Sequence, residues 1–177
     1  MLYKLLLVSI LLSVLGSGVI GGVFFAFSNF VMKALAALPP AQGIDAMRSI
    51  NVTVLNGWFL GTFLGTGAIC ILAAGSSFLA LPRSVAIWVL AGSALYLFGT
   101  VLVTIVFNVP RNDALANIDP ASPDSIKLWT QYVREWTAWN HVRTAGALAA
   151  AASFIIGLYF SRTGLITANA PKVLSQG

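Results

Sequence analysis

The chain has 177 residues, of which 58% are hydrophobic and only 8% are charged. Because soluble domains carry roughly a quarter charged residues, this composition excludes a disordered chain, a soluble single-core domain and a highly charged nucleic-acid binder. The net charge of +5 in so apolar a chain indicates membrane orientation rather than a polyanionic partner.

Four apolar stretches are each long enough to cross a bilayer as a helix, which takes about 20 residues. In chain order they cover residues 5–31, 54–80, 84–107 and 140–160. Their apolar residues do not alternate as in the strands of a membrane barrel, so each is predicted to be helical. The first is too long for the core of a signal peptide and is expected to stay uncleaved. Pro110 is expected to break the third helix because it lacks a backbone donor.

These elements predict an all-α fold, an antiparallel four-helix transmembrane bundle. Residues 1–167 are expected to form one membrane domain, and residues 168–177 a mobile C-terminal tail. Positive charge per residue is higher on the side that holds both termini and Arg83. The positive-inside rule therefore favours cytoplasmic termini in an inner or plasma membrane.

Glycines recur at helical spacing in the first two predicted spans. They are Gly18 and Gly22, and then Gly57, Gly61 and Gly65. Such ridges let helices approach closely in lipid. They predict packing seams within the bundle or in a homodimer, and the alternative is a flat ligand lying against the glycine face.

Polar side chains gather at one end of the predicted bundle. Antiparallel threading brings together the exits of the first and third helices and the entries of the second and fourth. Polar groups at membrane depth are costly, so they usually face a cavity and mark function. The residues concerned are Asn29, Asn51, Asn56, Asn108, Arg111, Asn112, Trp136, Asn140, His141 and Arg143.

Helical periodicity divides this group. Trp136, Asn140 and Arg143 fall on one face of a regular helix, whereas His141 is about 100° from Asn140 and further from Arg143. His141 and Arg143 then cannot both point into one narrow cavity, although they can flank a wider pocket. Structural alternatives remain. His141 can be bonded to a loop carbonyl, and Arg143 can pair with Asp113, Asp119 or Glu135 or snorkel to the headgroups.

Other members of the cluster have structural readings as well. Asn108 and Asn112 flank Pro110 and can close a turn. Trp136 and Trp139 can belong to an aromatic belt at the membrane surface.

The residue types exclude several chemistries. The predicted spans contain no Asp or Glu, which excludes a di-iron carboxylate bundle. The single histidine excludes a bis-histidine haem but leaves His141 open as one axial ligand. The lone Cys70 excludes a disulfide framework and is predicted to be a packing residue. What remains is an apolar pocket for an aromatic or quinol-like lipophilic ligand.

Several segments resemble the anthrone oxygenase family of small membrane proteins. They are Gly22–Asn29 with Val31–Leu35 and Leu38-Pro39, then Gly43–Asn51, Asn108–Asn112 with Leu115, and Trp136–Thr144. The resemblance implies four transmembrane helices. It also implies, as in some members, oxidation of anthrones to anthraquinones by dioxygen without an evident metal or organic cofactor.

The implied chemistry needs a base, a means of stabilising an oxyanion and a dry site. Histidine is the natural base near neutral pH, so the expected catalytic residues are His141 and Arg143. The expected substrate-binding residues are Asn29, Asn51, Asn108, Asn112, Trp136, Trp139 and Asn140.

The expected partners are a lipophilic aromatic molecule, dioxygen and membrane lipid, with no nucleic acid. No cofactor and no metal is expected, although a metal entering through His141 is left open. The alternative is a non-enzymatic membrane protein that binds a lipophilic ligand or a partner protein.

Overall fold

A computed structural model describes residues 2–168, with the side chains of residues 4–161. The first helical run comprises α1 (Leu2–Ala26), a π-helical segment (Phe27–Val31) and α2 (Met32–Ala36). It is followed by α3 (Pro40–Thr53) and α4 (Gly57–Ala80). The next run comprises α5 (Arg83–Tyr96), two π-helical segments (Leu97–Leu102 and Thr104–Asn108) and α6 (Val109–Asn117), and α7 (Ser125–Ala168) comes last.

Four of the helical runs in the described region are long and apolar enough to cross a membrane. They are Lys4–Ala36, Gly57–Ala80, Arg83–Asn117 and Ser125–Ser161. The predicted mobile tail, 168–177, lies outside the described residues from residue 169 onward.

The long helices form a bundle in which α1 and α5 each pack against both α4 and α7. Residue numbers fall along one helix as they rise along its neighbour. On α1, for example, Ser13 lies beside Cys70 and Phe24 beside Phe63. Cys70 is fully buried in this core. The predicted all-helical bundle is confirmed.

Backbones approach most closely where two glycines face each other. A Cβ added to Gly146 of α7 would lie 2.9 Å from the carbonyl carbon of Gly99 in the third run. The ridge glycines behave differently, since a Cβ on Gly18, Gly57 or Gly61 would meet nothing within 4 Å. The expectation that the ridges form seams within the bundle is therefore wrong, because their helices are rotated to turn them outward. The homodimer stays a prediction.

Pro110 does not end the third helical run, contrary to expectation. It lies in the first turn of α6, directly after the π-helical segment Thr104–Asn108. There the Val109 N–H donates to the Thr104 carbonyl, the wider π-type bond. Proline is tolerated in a first helical turn, where its missing donor is not needed.

A second apolar core caps the polar end of the bundle. It joins the end of the first run to α3, α6 and the beginning of α7, and comprises Met32, Leu35, Ile44, Met47, Leu115, Trp129, Tyr132 and Trp136. The fourth helix accordingly begins at Ser125, well before the stretch 140–160 expected from the sequence, because its first turns bury Trp129 and Tyr132 in this cap. Arg48 donates to the carbonyls of Leu115 and Ile118 and so ties α3 to the end of α6.

The contact between Gly99 and Gly146 predicts a stability effect. Gly146→Leu should lower the free energy of unfolding by about 1–3 kcal/mol, because the new side chain meets backbone that cannot move aside. Gly75→Leu is the matched control, since Gly75 faces open space in α4. Both are measured by unfolding in detergent. Equal stability of the two variants would contradict the close packing.

Candidate functional site

The centre of the polar end is Arg143, a guanidinium buried inside the bundle with 4% of its surface exposed. Its Cζ atom lies 4.1 Å from the ring centroid of Phe24 and 4.9 Å from that of Trp136. Cations are attracted to aromatic faces, most strongly where water is excluded. The two rings thus hold the positive charge in an apolar interior.

No salt bridge joins Arg143 to a carboxylate in the described part of the chain. The candidate acid Glu135 instead pairs with Arg111, with an oxygen 2.8 Å from Arg111 Nη2. Arg143 donates from Nη2 to Asn140 Oδ1 at 2.5 Å and from Nη1 to Thr104 Oγ1 at 3.4 Å. Its Nε–H has no acceptor among the residues that the structure describes. The predicted alternatives of an acid partner and of snorkelling are therefore wrong.

Asn140 connects this cation to the first helix. Its Nδ2 donates to the Phe24 carbonyl and to Ser28 Oγ, both at 2.6 Å. The amide orientation follows from the network, because the oxygen faces the cation and the nitrogen faces two acceptors. Asn140 is fully buried and uses its amide oxygen and both amide hydrogens.

Three further asparagines lie beside the aromatic residues of the cap. Asn112 Oδ1 accepts from the Tyr132 hydroxyl and from Trp136 Nε1, both at 2.9 Å. Asn51 lies close to Tyr132. Asn108 is buried and donates from Nδ2 to the Trp136 carbonyl, while its Oδ1 has no partner within the described part of the chain.

His141 lies on the opposite side of α7, where it is exposed and lines a pocket of about 390 Å³. The pocket is bounded by the end of the first helical run and by α7. Its lining comprises Ser28, Met32, Lys33, Ala36, Val133, Arg134, Thr137, Ala138 and His141.

The pocket has an apolar floor and a basic rim. Lys33, Arg134 and His141 stand at its edge, and none of its lining residues is acidic. Thr137 Oγ1 is buried at the wall, and no side chain or backbone group in residues 4–161 forms a hydrogen bond with it. Such a site suits a lipophilic molecule that carries an oxygen with negative charge.

The predicted site residues therefore fall into separate places. Trp136, Asn140 and Arg143 meet in the interior together with Asn108, while Asn51 and Asn112 support the cap.

The other predicted residues lie apart from this interior group. His141 is in the outer pocket, and Asn29 is exposed and belongs to neither place. Asn56 caps the start of α4 by accepting from the backbone of Trp58 and Phe59. Trp139 stacks on Phe107, with ring centroids 3.5 Å apart.

Sequence reasoning missed Ser28, Lys33 and Thr137, which line the pocket, and Thr104, which contacts Arg143. Ser28 and Lys33 lie within the segments that resemble the anthrone oxygenase family, so the resemblance was a usable signal for them. Thr104 sits in an apolar span and gave no such signal. Among residues 2–168, no group of three or more His, Cys, Asp or Glu is placed to hold a metal ion.

The buried network predicts a specific pattern of stability. Asn140→Leu should cost about 1.5–3 kcal/mol, because it leaves the cation and the Phe24 carbonyl without partners. Adding Arg143→Met should recover part of this loss by removing the unpaired charge. Unfolding in detergent measures both, with Asn29→Leu as the exposed-asparagine control. A double variant that shows the plain sum of the two losses would argue against the network.

Comparison with known proteins supplies the family. The model described as anthrone oxygenase matches residues 58–153, more than half of the chain. The matched region includes the interior network on α7 and His141, whereas Ser28 and Lys33 precede it. No curated protein and no solved structure gives a match. The chain belongs to the anthrone oxygenase family.

Proposed function

We propose that this chain is a membrane oxygenase that oxidises an anthrone-like or quinol-like lipophilic aromatic molecule with dioxygen. The substrate occupies the pocket between the end of the first helical run and α7. The observation that carries the proposal is the position of His141, the single histidine of the chain, on the wall of this apolar, basic-rimmed pocket. Membership of the family supports the reaction type.

The pocket suits the proposed substrate in size and lining. Its volume of about 390 Å³ lies within the usual range for small-molecule sites, about 300–1,000 Å³. Met32, Ala36 and Ala138 supply apolar surface for fused rings. A lipophilic substrate reaches such a pocket from the membrane that the bundle is proposed to span.

The first step is removal of a proton from carbon. The methylene of an anthrone lies between two aromatic rings, and loss of its proton gives an anion delocalised onto the ring oxygen. His141 accepts this proton as the general base. The basic side chains Lys33 and Arg134 stabilise the negative oxygen electrostatically.

The following steps transfer oxygen. The anion passes one electron to dioxygen, and the resulting superoxide and carbon radical combine to form a carbon–oxygen bond. Protonation by His141 gives a hydroperoxide. His141 then removes the second methylene proton, and the oxygen–oxygen bond breaks to leave a carbonyl and a hydroxide ion. The hydroxide takes this proton from His141 and leaves as water. One methylene and one dioxygen thus become one carbonyl and one water, and the electrons come from the substrate without a cofactor.

In this scheme Arg143, unlike His141, does not touch the substrate. It is buried behind the pocket wall and is not among the lining residues. Its contribution is through Asn140, which holds Ser28 at the wall. We therefore assign Arg143 a positioning role.

The same proposal places the pocket on the side of the membrane opposite the termini. Lys4 and Arg83 lie at the end with no acidic residue, whereas all five acids occur in the segments around the cap. The positive-inside rule then gives cytoplasmic termini in an inner or plasma membrane.

Loss of the base should remove most of the activity. His141→Ala is expected to lower turnover about 10²–10⁴-fold, measured as oxygen uptake by purified protein in detergent with an anthrone. Val142→Ala, which changes the next residue, an exposed one outside the pocket lining, is the control. Unchanged turnover in His141→Ala would exclude His141 as the general base. Anthrone binding without oxygen uptake by the unaltered protein would favour a non-enzymatic binder.

Filling the pocket should block substrate without unfolding the bundle. Ala138→Trp places a large ring in the pocket and is expected to abolish anthrone binding and oxygen uptake. Ala145→Trp, at an exposed position further along α7 and outside the pocket, should bind as the unaltered protein does. Binding is measured by quenching of tryptophan fluorescence. Equal binding by both variants would place the substrate elsewhere.

A further inference from the structure

We propose that Ser28 donates its hydroxyl hydrogen to the negatively charged oxygen of the ligand, and that Asn140 and Arg143 polarise this hydroxyl from behind the pocket wall. The identity of that oxygen as part of an anthrone-type substrate rests on the proposed function. The hydrogen-bonded chain itself rests on the positions of three side chains.

The hydrogen-bonded chain of side chains runs in one direction, from the interior of the bundle to the pocket. Arg143 Nη2 donates to Asn140 Oδ1 at 2.5 Å, and Asn140 Nδ2 donates to Ser28 Oγ at 2.6 Å. Ser28 is 95% buried, with 5% of its surface exposed, and lines the pocket. Asn140 therefore accepts from Arg143, and Ser28 accepts from Asn140.

Ser28 has one hydrogen left to give. Its oxygen already accepts from Asn140, and none of the described residues accepts from it. Because the hydroxyl rotates freely about its Cβ–Oγ bond, it can aim its hydrogen into the pocket that it lines. Donors linked in series polarise one another and become stronger together.

Because Arg143 has no counter-ion among the described residues, its full positive charge acts on the hydrogen bonds that lead to Ser28. A carboxylate beside Arg143 would cancel the positive charge, but no described carboxylate pairs with it. Burial of an unpaired cation is costly, and here aromatic faces and amide groups meet that cost without adding negative charge. The positive potential thus remains available to the chain that ends at Ser28.

A purely structural role would also explain some of these bonds, since Asn140 joins α7 to α1 through the Phe24 carbonyl. The two roles differ in what Ser28 contributes. Ser28→Ala keeps the bond between Asn140 and the Phe24 carbonyl and removes only the hydroxyl at the pocket. A direct readout of the charge on a bound oxygen therefore separates them.

The test uses 2-hydroxyanthraquinone, a coloured phenol whose absorption shifts to longer wavelength on ionisation. Full-length protein in detergent binds the dye, and a pH titration followed by absorbance gives the ionisation midpoint of the bound phenol. The charged and titratable groups facing it are Lys33, Arg134 and His141 at the rim, with Arg143 behind the wall. All of them remain in Ser28→Ala, so the difference isolates the hydroxyl.

Ser28→Ala should raise the ionisation midpoint of the bound dye by about 1–2 pH units, the size of one hydrogen bond to a charged oxygen. Ser28→Thr, which keeps a hydroxyl, should restore it. Ser17→Ala is the matched control, because Ser17 is a buried serine of α1 away from the pocket. An unchanged midpoint in Ser28→Ala, or no binding of the dye to the unaltered protein, overturns the inference.

The contribution of Arg143 is tested in two backgrounds. Arg143→Met should raise the midpoint when Ser28 is present and have a smaller effect in Ser28→Ala, because the polarised hydroxyl is gone. If Arg143→Met does not fold, Asn140→Leu is compared in the same way. Equal shifts of the ionisation midpoint in both backgrounds would show that the Arg143 cation acts without Ser28. That result would overturn the proposed hydrogen-bonded chain.

The dye titration tests the role of Ser28, and the oxygen-uptake assay tests the proposed function, so either can give a negative result without the other. Oxygen uptake with an unchanged midpoint in Ser28→Ala would leave the proposed function standing and remove Ser28 from it. A Ser28-dependent midpoint without oxygen uptake would establish an oxyanion-binding pocket and refute the oxygenase.

Discussion

The structure depends on one costly interaction, the burial of the Arg143 guanidinium without a carboxylate partner. An isolated cation in a low-dielectric interior is strongly disfavoured. The chain meets this cost with the rings of Phe24 and Trp136 and with the amide oxygen of Asn140. These groups come from α1 and α7, and Thr104 adds a contact from the third helical run. Solvating the cation therefore also defines how three helices meet.

The backbone near this cation departs from regular α-helix. π-helical segments occur at Phe27–Val31, Leu97–Leu102 and Thr104–Asn108, and the last two lie in the run that faces α7. Such segments widen a helix, alter its hydrogen-bond ladder and are frequent at functional sites. Here side chains bond to backbone around them, as Asn140 does to the Phe24 carbonyl and Thr100 to the Arg143 carbonyl.

Helix α7 contributes side chains to two separate places because its successive residues point in different directions around the helix axis. Asn140 and Arg143 point into the bundle, whereas His141 lies on the outer side in a pocket shared with Ser28 and Lys33. The two sites are connected by the bond between Asn140 and Ser28. The proposed base on the pocket wall and the positive charge behind it form the arrangement that the proposed carbanion chemistry requires. The different directions of Asn140, His141 and Arg143 follow from the helical repeat of about 100° per residue.

The sequence by itself determined the four long apolar helices and the end of the bundle where polar groups collect, because apolar length and backbone hydrogen bonding in lipid leave few alternatives. It also determined that Trp136, Asn140 and Arg143 share a face, since that follows from periodicity within one helix. It did not predict the shorter helix α3, which packs in the cap. Only the tertiary structure decided that Arg143 lacks an acid, that His141 meets Ser28 across a pocket, and that Gly57 faces outward. These features depend on how each helix is rotated about its axis and which neighbour it packs against, and contacts distant in sequence set both.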